Sequence, residues 1–260
     1  MMEILFPGIG LWRDAFEISD GYADVLWKNR YEIERGESWV DDREGHRHNY
    51  EITGPIRIRN FPEDGLADSE DDKYVFMLQG VMMKCLLEYM KEYPTSFQDI
   101  QWQEAHRLLY YFPGANMGTH SDNTPGEHFT GPNRTGKSYR DLVAPQRILC
   151  ALQFMSDWVP DDEPEGDSFT GGEVSWPYVG ATHEPQKGDV LIYPANFIYS
   201  HNVSPVLAGH RIVNLTCFCQ GDIPDFSSHY GIEHPMNIFP GSNMYLDLNH
   251  DEIKWVKHAS

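Results

Sequence analysis

Apolar residues recur at the spacing of an α-helix in one stretch of the amino-terminal half of the chain. Asp71 and Asp72 would lie at the start of this helix and Pro94 beyond its end, as the charge and residue preferences of helix termini require. The residues of the apolar stripe are Val75, Leu78, Met82, Cys85, Leu86 and Tyr89. A shorter helix is predicted within residues 19–26, where a Ser-Asp pair precedes apolar positions and can cap the first turn.

Beyond Pro94 the pattern changes to short segments rich in Val, Ile, Leu and Tyr, separated by clusters of Gly, Pro, Asn and Asp. This pattern is typical of an antiparallel β-barrel or sandwich. The candidate strands are residues 107–112, 147–155, 174–177, 190–193 and 211–218. Two polar segments, residues 123–139 and 157–170, are too long for tight hairpins, so we expect loops there of the kind that often border an active site.

The chain has 260 residues, and barrels of roughly this length commonly fold as one unit. No internal repeat and no linker divides the sequence, so we expect a single domain over residues 1–260. Within it, residues 1–100 would form a helix-containing support, residues 101–220 the β core, and residues 221–260 a carboxy-terminal extension. The fold class expected is therefore mainly β with flanking helices.

The composition indicates a globular protein and disfavours some classes of binding partner. Apolar residues make up 40% of the chain, enough for a buried core, and the formal net charge of −20 disfavours nucleic acid and anionic membranes as partners. Residues 1–7 lack a secretory leader pattern, and nowhere do 18 apolar residues run together. These features predict a soluble, cytoplasmic protein, and its four scattered cysteines predict buried, reduced thiols.

The triplet His120-Ser121-Asp122 is a candidate metal-binding motif. In an extended segment, residues i and i+2 point to the same face, so the imidazole and the carboxylate can reach one cation. His201, which follows the predicted strand 190–193, can supply a third ligand. Two imidazoles and one carboxylate form the facial triad of non-haem iron(II), which leaves coordination positions open for other ligands.

Arg211 lies ten residues after His201 and begins an apolar, β-rich segment. A turn containing Pro205 and Gly209 would bring the two residues to the same end of the barrel. The guanidinium can bind a carboxylate through two hydrogen bonds, so a small acid beside the metal is the expected ligand.

Two other readings of the same residues stay open. The protein could be a non-catalytic metal-binding jelly-roll module, or a zinc hydrolase, because two histidines and a carboxylate also suit catalytic zinc. A carboxylate-binding Arg211 has no role in a purely structural metal site. The remaining histidines, including the pair His46 and His48, lack a plausible third ligand nearby.

From about Leu108 to Phe218 the sequence resembles the 2-oxoglutarate and iron(II)-dependent oxygenase superfamily, and within it the prolyl 4-hydroxylase-like branch. The pieces that carry the resemblance occur in the order and at the spacing of that branch. They are the strand and turn at residues 109–114, the metal triplet at 120–122, the central strand at 147–158, the Gly-Gly-Glu turn at 171–177, the segment 185–193, and His201 to Val206 with Gly209 and Arg211.

The resemblance implies a double-stranded β-helix, or jelly-roll, core that uses Fe(II), O2 and the cosubstrate 2-oxoglutarate. His120, Asp122 and His201 would hold the metal, Arg211 would bind the cosubstrate carboxylate, and Tyr111 would help through its hydroxyl. The implied reaction is hydroxylation of a prolyl or other amino-acid side chain in a peptide or protein, with release of succinate and CO2. A small molecule or a free amino acid is the alternative substrate.

The sequence departs from the branch at three positions. Arg211 stands where the animal and plant prolyl hydroxylases often have lysine, and Val213 stands where many superfamily members have serine. Met117 replaces a tyrosine that is common in prolyl hydroxylases. We further expect Trp176, Asn123 and the acidic residues 161–163 to border a substrate groove.

Overall fold

The computed structural model describes residues 1–18, 56–61, 70–104, 106–124, 143–160, 163–221, 243–247 and 252–256. Several expectations from the sequence lie outside these residues. They concern the helix at residues 19–26, most of the polar segment 123–139, the acidic residues 161 and 162, and the histidine pair His46 and His48.

Two α-helices and seventeen β-strands are present in the described residues. The helices are α1 (Glu70–Glu92) and α2 (Thr95–Asp99). The strands are β1 (Glu3–Phe6), β2 (Ile9–Trp12), β3 (Ile56–Phe61), β4 (Trp102–Gln103), β5 (His106–Tyr111), β6 (Met117–His120), β7 (Arg147–Phe154), β8 (Asp157–Trp158), β9 (Ser168–Gly171), β10 (Val174–Trp176), β11 (Ala181–His183), β12 (Val190–Pro194), β13 (His201–Val203), β14 (Val206–Gly209), β15 (Arg211–Cys219), β16 (Asn243–Asp247) and β17 (Glu252–Val256). All five strands predicted from the sequence, and the long helix α1, are confirmed within one or two residues.

The largest sheet has the strand order β1-β2-β12-β7-β15-β5-β3, and β4 pairs with the outer part of β15. Smaller sheets have the orders β11-β10-β13-β6 and β14-β9-β8, and β16 pairs with β17. Nearly all pairs are antiparallel; β8 and β9 are parallel. This is the mainly β, jelly-roll architecture that the sequence predicted.

Side chains on the two faces of the large sheet enter two different cores. On one face, Leu149, Ala151 and Ile192 pack against the apolar stripe of α1. On the other face, Leu152 and Leu191 pack against residues of the smaller sheets. Because both faces are covered, these strands are almost wholly apolar, and the period-2 alternation of a half-exposed strand is missing.

The amino-terminal residues contribute more to the β core than the sequence suggested. β1 and β2 form a hairpin that extends the large sheet beside β12, and β3 extends its other side beside β5. The polar segment 157–170 also differs from the loop that we expected, since β8 and the start of β9 lie within it. The division of the chain into support, core and extension stays a prediction.

All four cysteines are buried and carry free thiols, as expected. Cys150 and Cys217 lie directly opposite each other on β7 and β15, with their sulfur atoms 2.8 Å apart. Burial raises the pKa of Cys85 to about 12 and holds the pKa of Cys150 well above its usual value. The thiols of Cys85 and Cys150 therefore stay protonated.

Neither α1 nor α2 has the length and apolar character that crossing a membrane would require. The cytoplasmic location expected from the sequence stays a prediction.

Candidate metal centre

His120, Asp122 and His201 come together where two neighbouring strands meet. His120 is the last residue of β6 and His201 the first residue of β13, and the two are paired directly across the strands. Asp122 follows β6 by two residues. One nitrogen or oxygen atom from each of the three side chains lies within 4.8 Å of the others, and no second such group exists among the described residues.

Backbone carbonyl groups orient both imidazole rings. Nδ1 of His120 lies 2.8 Å from the carbonyl oxygen of Gly118, and Nδ1 of His201 lies 3.3 Å from that of Tyr199. A carbonyl oxygen only accepts hydrogen bonds, so each Nδ1 carries the ring proton. The lone pair of each Nε2 is therefore left for a metal, and each Nε2 lies 3.7 Å from an oxygen of Asp122.

The protonation states also suit a cation. Burial lowers the pKa of His201 to about 4, although Asp122 opposes the shift. Burial would raise the pKa of Asp122, but attraction to His201, His120 and Arg147 holds it well below its usual value. Neutral imidazole and ionised carboxylate are the forms that bind metal. The donor set of two nitrogens and one oxygen fits iron(II).

Two further residues hold Asp122 in place. The hydroxyl of Tyr193 donates a hydrogen bond of 3.1 Å to Oδ2 of Asp122. Nη1 of Arg147 donates one of 3.0 Å to the backbone oxygen of Asp122. Arg147 is itself paired with Glu104 through Nη2 and Oε2 at 2.9 Å and through a second contact from Nε. Asp122 is thus anchored to β12 and β7.

Arg211 is buried at the start of β15, and only 1% of its surface is exposed. Its Nε and Nη1 atoms have no hydrogen-bond partner among the residues that the structure describes. Burial lowers the pKa of Arg211, while Tyr111 and other neighbours counteract this effect. A buried guanidinium with unsatisfied donors is costly, so the site fits an anionic ligand such as a carboxylate.

A glycine makes room for this guanidinium. Gly172 has a φ of +68°, and a Cβ atom there would lie 3.0 Å from Cδ of Arg211 and 3.0 Å from the ring of Phe169. Next to it, Glu173 accepts a hydrogen bond of 3.1 Å from Nε1 of Trp158 and a second, short one from the hydroxyl of Ser204. The Gly-Gly-Glu turn therefore positions β10 while it leaves the Arg211 side chain uncrowded.

A comparison of the sequence with models of protein families finds no match, and a comparison with curated proteins finds no significant one. Solved structures do match. The viral collagen prolyl hydroxylase of Paramecium bursaria Chlorella virus 1, solved as a complex with 2OG, is 14% identical, with a TM-score of 0.50, and the match covers 83% of this chain and 97% of that chain. A prolyl hydroxylase from Trichoplax adhaerens, solved with a peptide fragment of the oxygen degradation domain of hypoxia inducible factor, is 13% identical, with a TM-score of 0.51. This match covers 82% of this chain and 84% of that chain. The chain has the prolyl hydroxylase fold.

Within this prolyl hydroxylase fold, Trp176 does not border a groove as we expected. Its side chain is fully buried and packs against Tyr193 and His201, with ring centroids 5.4 and 6.2 Å away. The expectation was wrong because sequence alone does not tell which face of β10 is turned inward. Asn123, by contrast, is partly exposed just after Asp122.

Tyr193, Arg147 and Glu104 are site residues that sequence reasoning missed. Tyr193 was recognised as part of a strand, and its position two residues after Leu191 signals that both side chains share a face. No sequence signal tells which face of that strand meets the metal ligands. His183, which we expected to lack a matching metal-binding partner, is buried with its Nε2 atom 3.0 Å from Oδ2 of Asp189.

Proposed function

We propose that this chain is an iron(II)- and 2-oxoglutarate-dependent dioxygenase that hydroxylates a prolyl or other amino-acid side chain in a peptide or protein. One observation carries the proposal. Two imidazoles and a carboxylate converge in the same barrel as Arg211, a buried guanidinium with unsatisfied donors. A metal and a carboxylic acid cosubstrate would satisfy both groups.

His120, Asp122 and His201 hold the metal in this proposal, and Arg211 binds the distal carboxylate of 2-oxoglutarate. Tyr111 lies against Arg211, with the guanidinium carbon 4.5 Å from the centroid of its ring, and its hydroxyl would help to bind the cosubstrate. Iron(II) with 2-oxoglutarate and O2 supplies the oxidising power for hydroxylation of an unactivated C–H bond and yields succinate and CO2. The chain's own residues orient these groups and exclude water, since His201, Asp122 and Arg211 are all buried.

The buried Arg211 distinguishes the proposed oxygenase from the two alternative functions. A non-catalytic metal-binding jelly-roll module gains nothing from a buried, unpaired guanidinium, because such a group destabilises the fold until an anion binds. A zinc hydrolase would need the three metal ligands but no second anion site. The proposal therefore favours the oxygenase over both.

Support for the substrate class comes from the two structural neighbours. The Trichoplax adhaerens enzyme with this fold was solved with a peptide, and the viral one is a collagen prolyl hydroxylase. A prolyl peptide is accordingly the first substrate to test. A free amino acid or another small molecule is the second.

The test begins with anaerobic protein to which iron(II) and then 2-oxoglutarate are added. We expect a visible charge-transfer band in the wild type and none in Asp122→Ala. Succinate release is then measured with proline-rich peptides, free proline and other amino acids. Peptide-stimulated succinate supports the proposed class, and stimulation by a free amino acid alone replaces it with the small-molecule alternative. Zinc retention with no 2-oxoglutarate-dependent band would refute the oxygenase.

A further inference from the structure

The hydroxyl of Tyr193 contacts two of the three metal-binding side chains. It lies 3.1 Å from Oδ2 of Asp122 and 3.3 Å from Nε2 of His201. Tyr193 belongs to β12, which carries none of the metal ligands, and its side chain is buried. A single phenol therefore connects a separate strand to the centre of the site.

The hydrogen-bonding roles of these groups limit what the phenol can do. Its hydroxyl has one proton to donate. The carboxylate of Asp122 only accepts, and Nε2 of His201 also accepts, because Nδ1 carries the ring proton toward Tyr199. The proton can therefore serve only one of the two acceptors at a time. A metal that binds Nε2 takes the lone pair of His201, and Oδ2 of Asp122 is then the acceptor that remains.

The ring of Tyr193 is fixed by its surroundings. Trp176 packs edge-on against it at a centroid distance of 5.4 Å, and His201 packs against it at 5.0 Å. Its backbone is paired with Cys150 of β7 in the middle of the large sheet. The hydroxyl is thus presented to Asp122 at a fixed place, which is what an orienting hydrogen bond requires.

We propose that Tyr193 is a positioning residue of the metal centre, whose hydroxyl engages Oδ2 of Asp122 and so directs Oδ1 toward the metal. This inference rests on the metal site of the proposed function. It assigns to Tyr193 an effect on metal affinity and on the coordination of Asp122, while binding of the cosubstrate carboxylate depends on Arg211.

The experiment compares Tyr193→Phe with Tyr89→Phe as a matched control. Both changes remove one buried phenol hydroxyl, and that of Tyr89 donates to the carbonyl oxygen of Gly8 at 2.9 Å, on the α1 side of the sheet. Metal-free proteins are titrated with cobalt(II), which reports its coordination through visible absorption. We expect Tyr193→Phe to bind cobalt(II) about ten- to a hundredfold more weakly and with an altered spectrum. Tyr89→Phe should match the wild type in both measurements.

Steady-state kinetics give a second readout. Tyr193→Phe should lower kcat while the KM for 2-oxoglutarate changes little, because Arg211 is untouched. A third experiment makes the same substitution in protein that already carries Asp122→Asn, in which an amide replaces the carboxylate. There, Tyr193→Phe should weaken cobalt(II) binding less than twofold further.

Wild-type affinity and an unchanged cobalt(II) spectrum in Tyr193→Phe would overturn the inference. The inference would also be overturned if Tyr193→Phe weakened cobalt(II) binding as much in the Asp122→Asn background as it does in the wild-type background. If the phenylalanine variant does not fold, zinc(II) is added to the wild type instead, and the absence of any tyrosine change in the near-ultraviolet spectrum overturns the inference. Failure of the metal site itself is distinguishable, because Asp122→Ala would then bind cobalt(II) as tightly as the wild type. Failure of the oxygenase alone would remove the 2-oxoglutarate-dependent band and leave the cobalt(II) comparison unchanged.

Discussion

Arg211 and Tyr111 lie directly opposite each other on β15 and β5, with the guanidinium carbon 4.5 Å from the centroid of the phenol ring. The aromatic face stabilises the buried cation, and the guanidinium keeps unsatisfied donors for another group. The pair is therefore built to receive an anion, and the first two predictions concern it.

Arg211→Gln should raise the KM for 2-oxoglutarate by roughly a hundredfold, since a charge-assisted pair is lost at a cost of about 3 kcal/mol. Tyr111→Phe removes only a hydroxyl that would give the cosubstrate one neutral hydrogen bond, and it should raise the KM by about fivefold. Succinate release against 2-oxoglutarate concentration measures both. Equal effects of the two substitutions would contradict the roles assigned to them.

Arg211→Met should leave the ligand-free protein at least as stable as the wild type, because the substitution removes an unpaired buried charge. Saturating 2-oxoglutarate should raise the Tm of the wild type and not that of the variant. Thermal unfolding of the metal-loaded proteins with and without 2-oxoglutarate measures this difference. A variant that melts well below the ligand-free wild type would argue for a structural role of Arg211.

Stability of the metal-free protein should fall with acid because of His201. Its pKa is lowered to about 4 in the folded state, so below about pH 6.5 the unfolded chain takes up the proton first. The loss in free energy of unfolding begins near pH 6.5, is complete near pH 4, and amounts to about 3 kcal/mol. Asp122, whose folded pKa is also lowered, acts in the same direction at still lower pH. Urea unfolding at several pH values should give a flatter profile for His201→Ala.

Gly172→Ala should impair cosubstrate binding more than Gly180→Ala does. The two glycines have φ values of +68° and +71°, so the backbone strain of an alanine is matched. Only at Gly172 would the new Cβ atom crowd Arg211, since nothing lies within 4 Å of the Cβ position at Gly180. We expect about 1 kcal/mol of destabilisation in both variants and an additional rise of several-fold in the KM for 2-oxoglutarate in Gly172→Ala. Equal KM values would show that this crowding is unimportant.

The convergence of His120, Asp122 and His201 could be predicted because their spacing carries local information. His120 and Asp122 are two residues apart, and His201 follows a recognisable apolar strand, so both signals are local in the sequence. The strands β7, β12 and β15 were equally clear, because each is an apolar segment between turn residues.

The residues around the triad could not be predicted, because their positions depend on contacts between strands that are distant in the sequence. Arg147 reaches Asp122 only because β7 begins beside the turn that follows β6, and Tyr193 does so only because β12 turns that face inward. Both facts depend on which strands become neighbours, and single-sequence patterns do not specify this. The hairpin of β1 and β2 was missed because four-residue strands provide too short a period to recognise.

The burial of all four thiols gives the protein an intrinsic reporter of unfolding. A maleimide dye finds no accessible partner in the native state, since all four sulfurs are buried and out of its reach. Labelling should therefore proceed only at the rate at which the sheets separate. A time course of dye incorporation then measures how often the barrel opens, without any engineered probe.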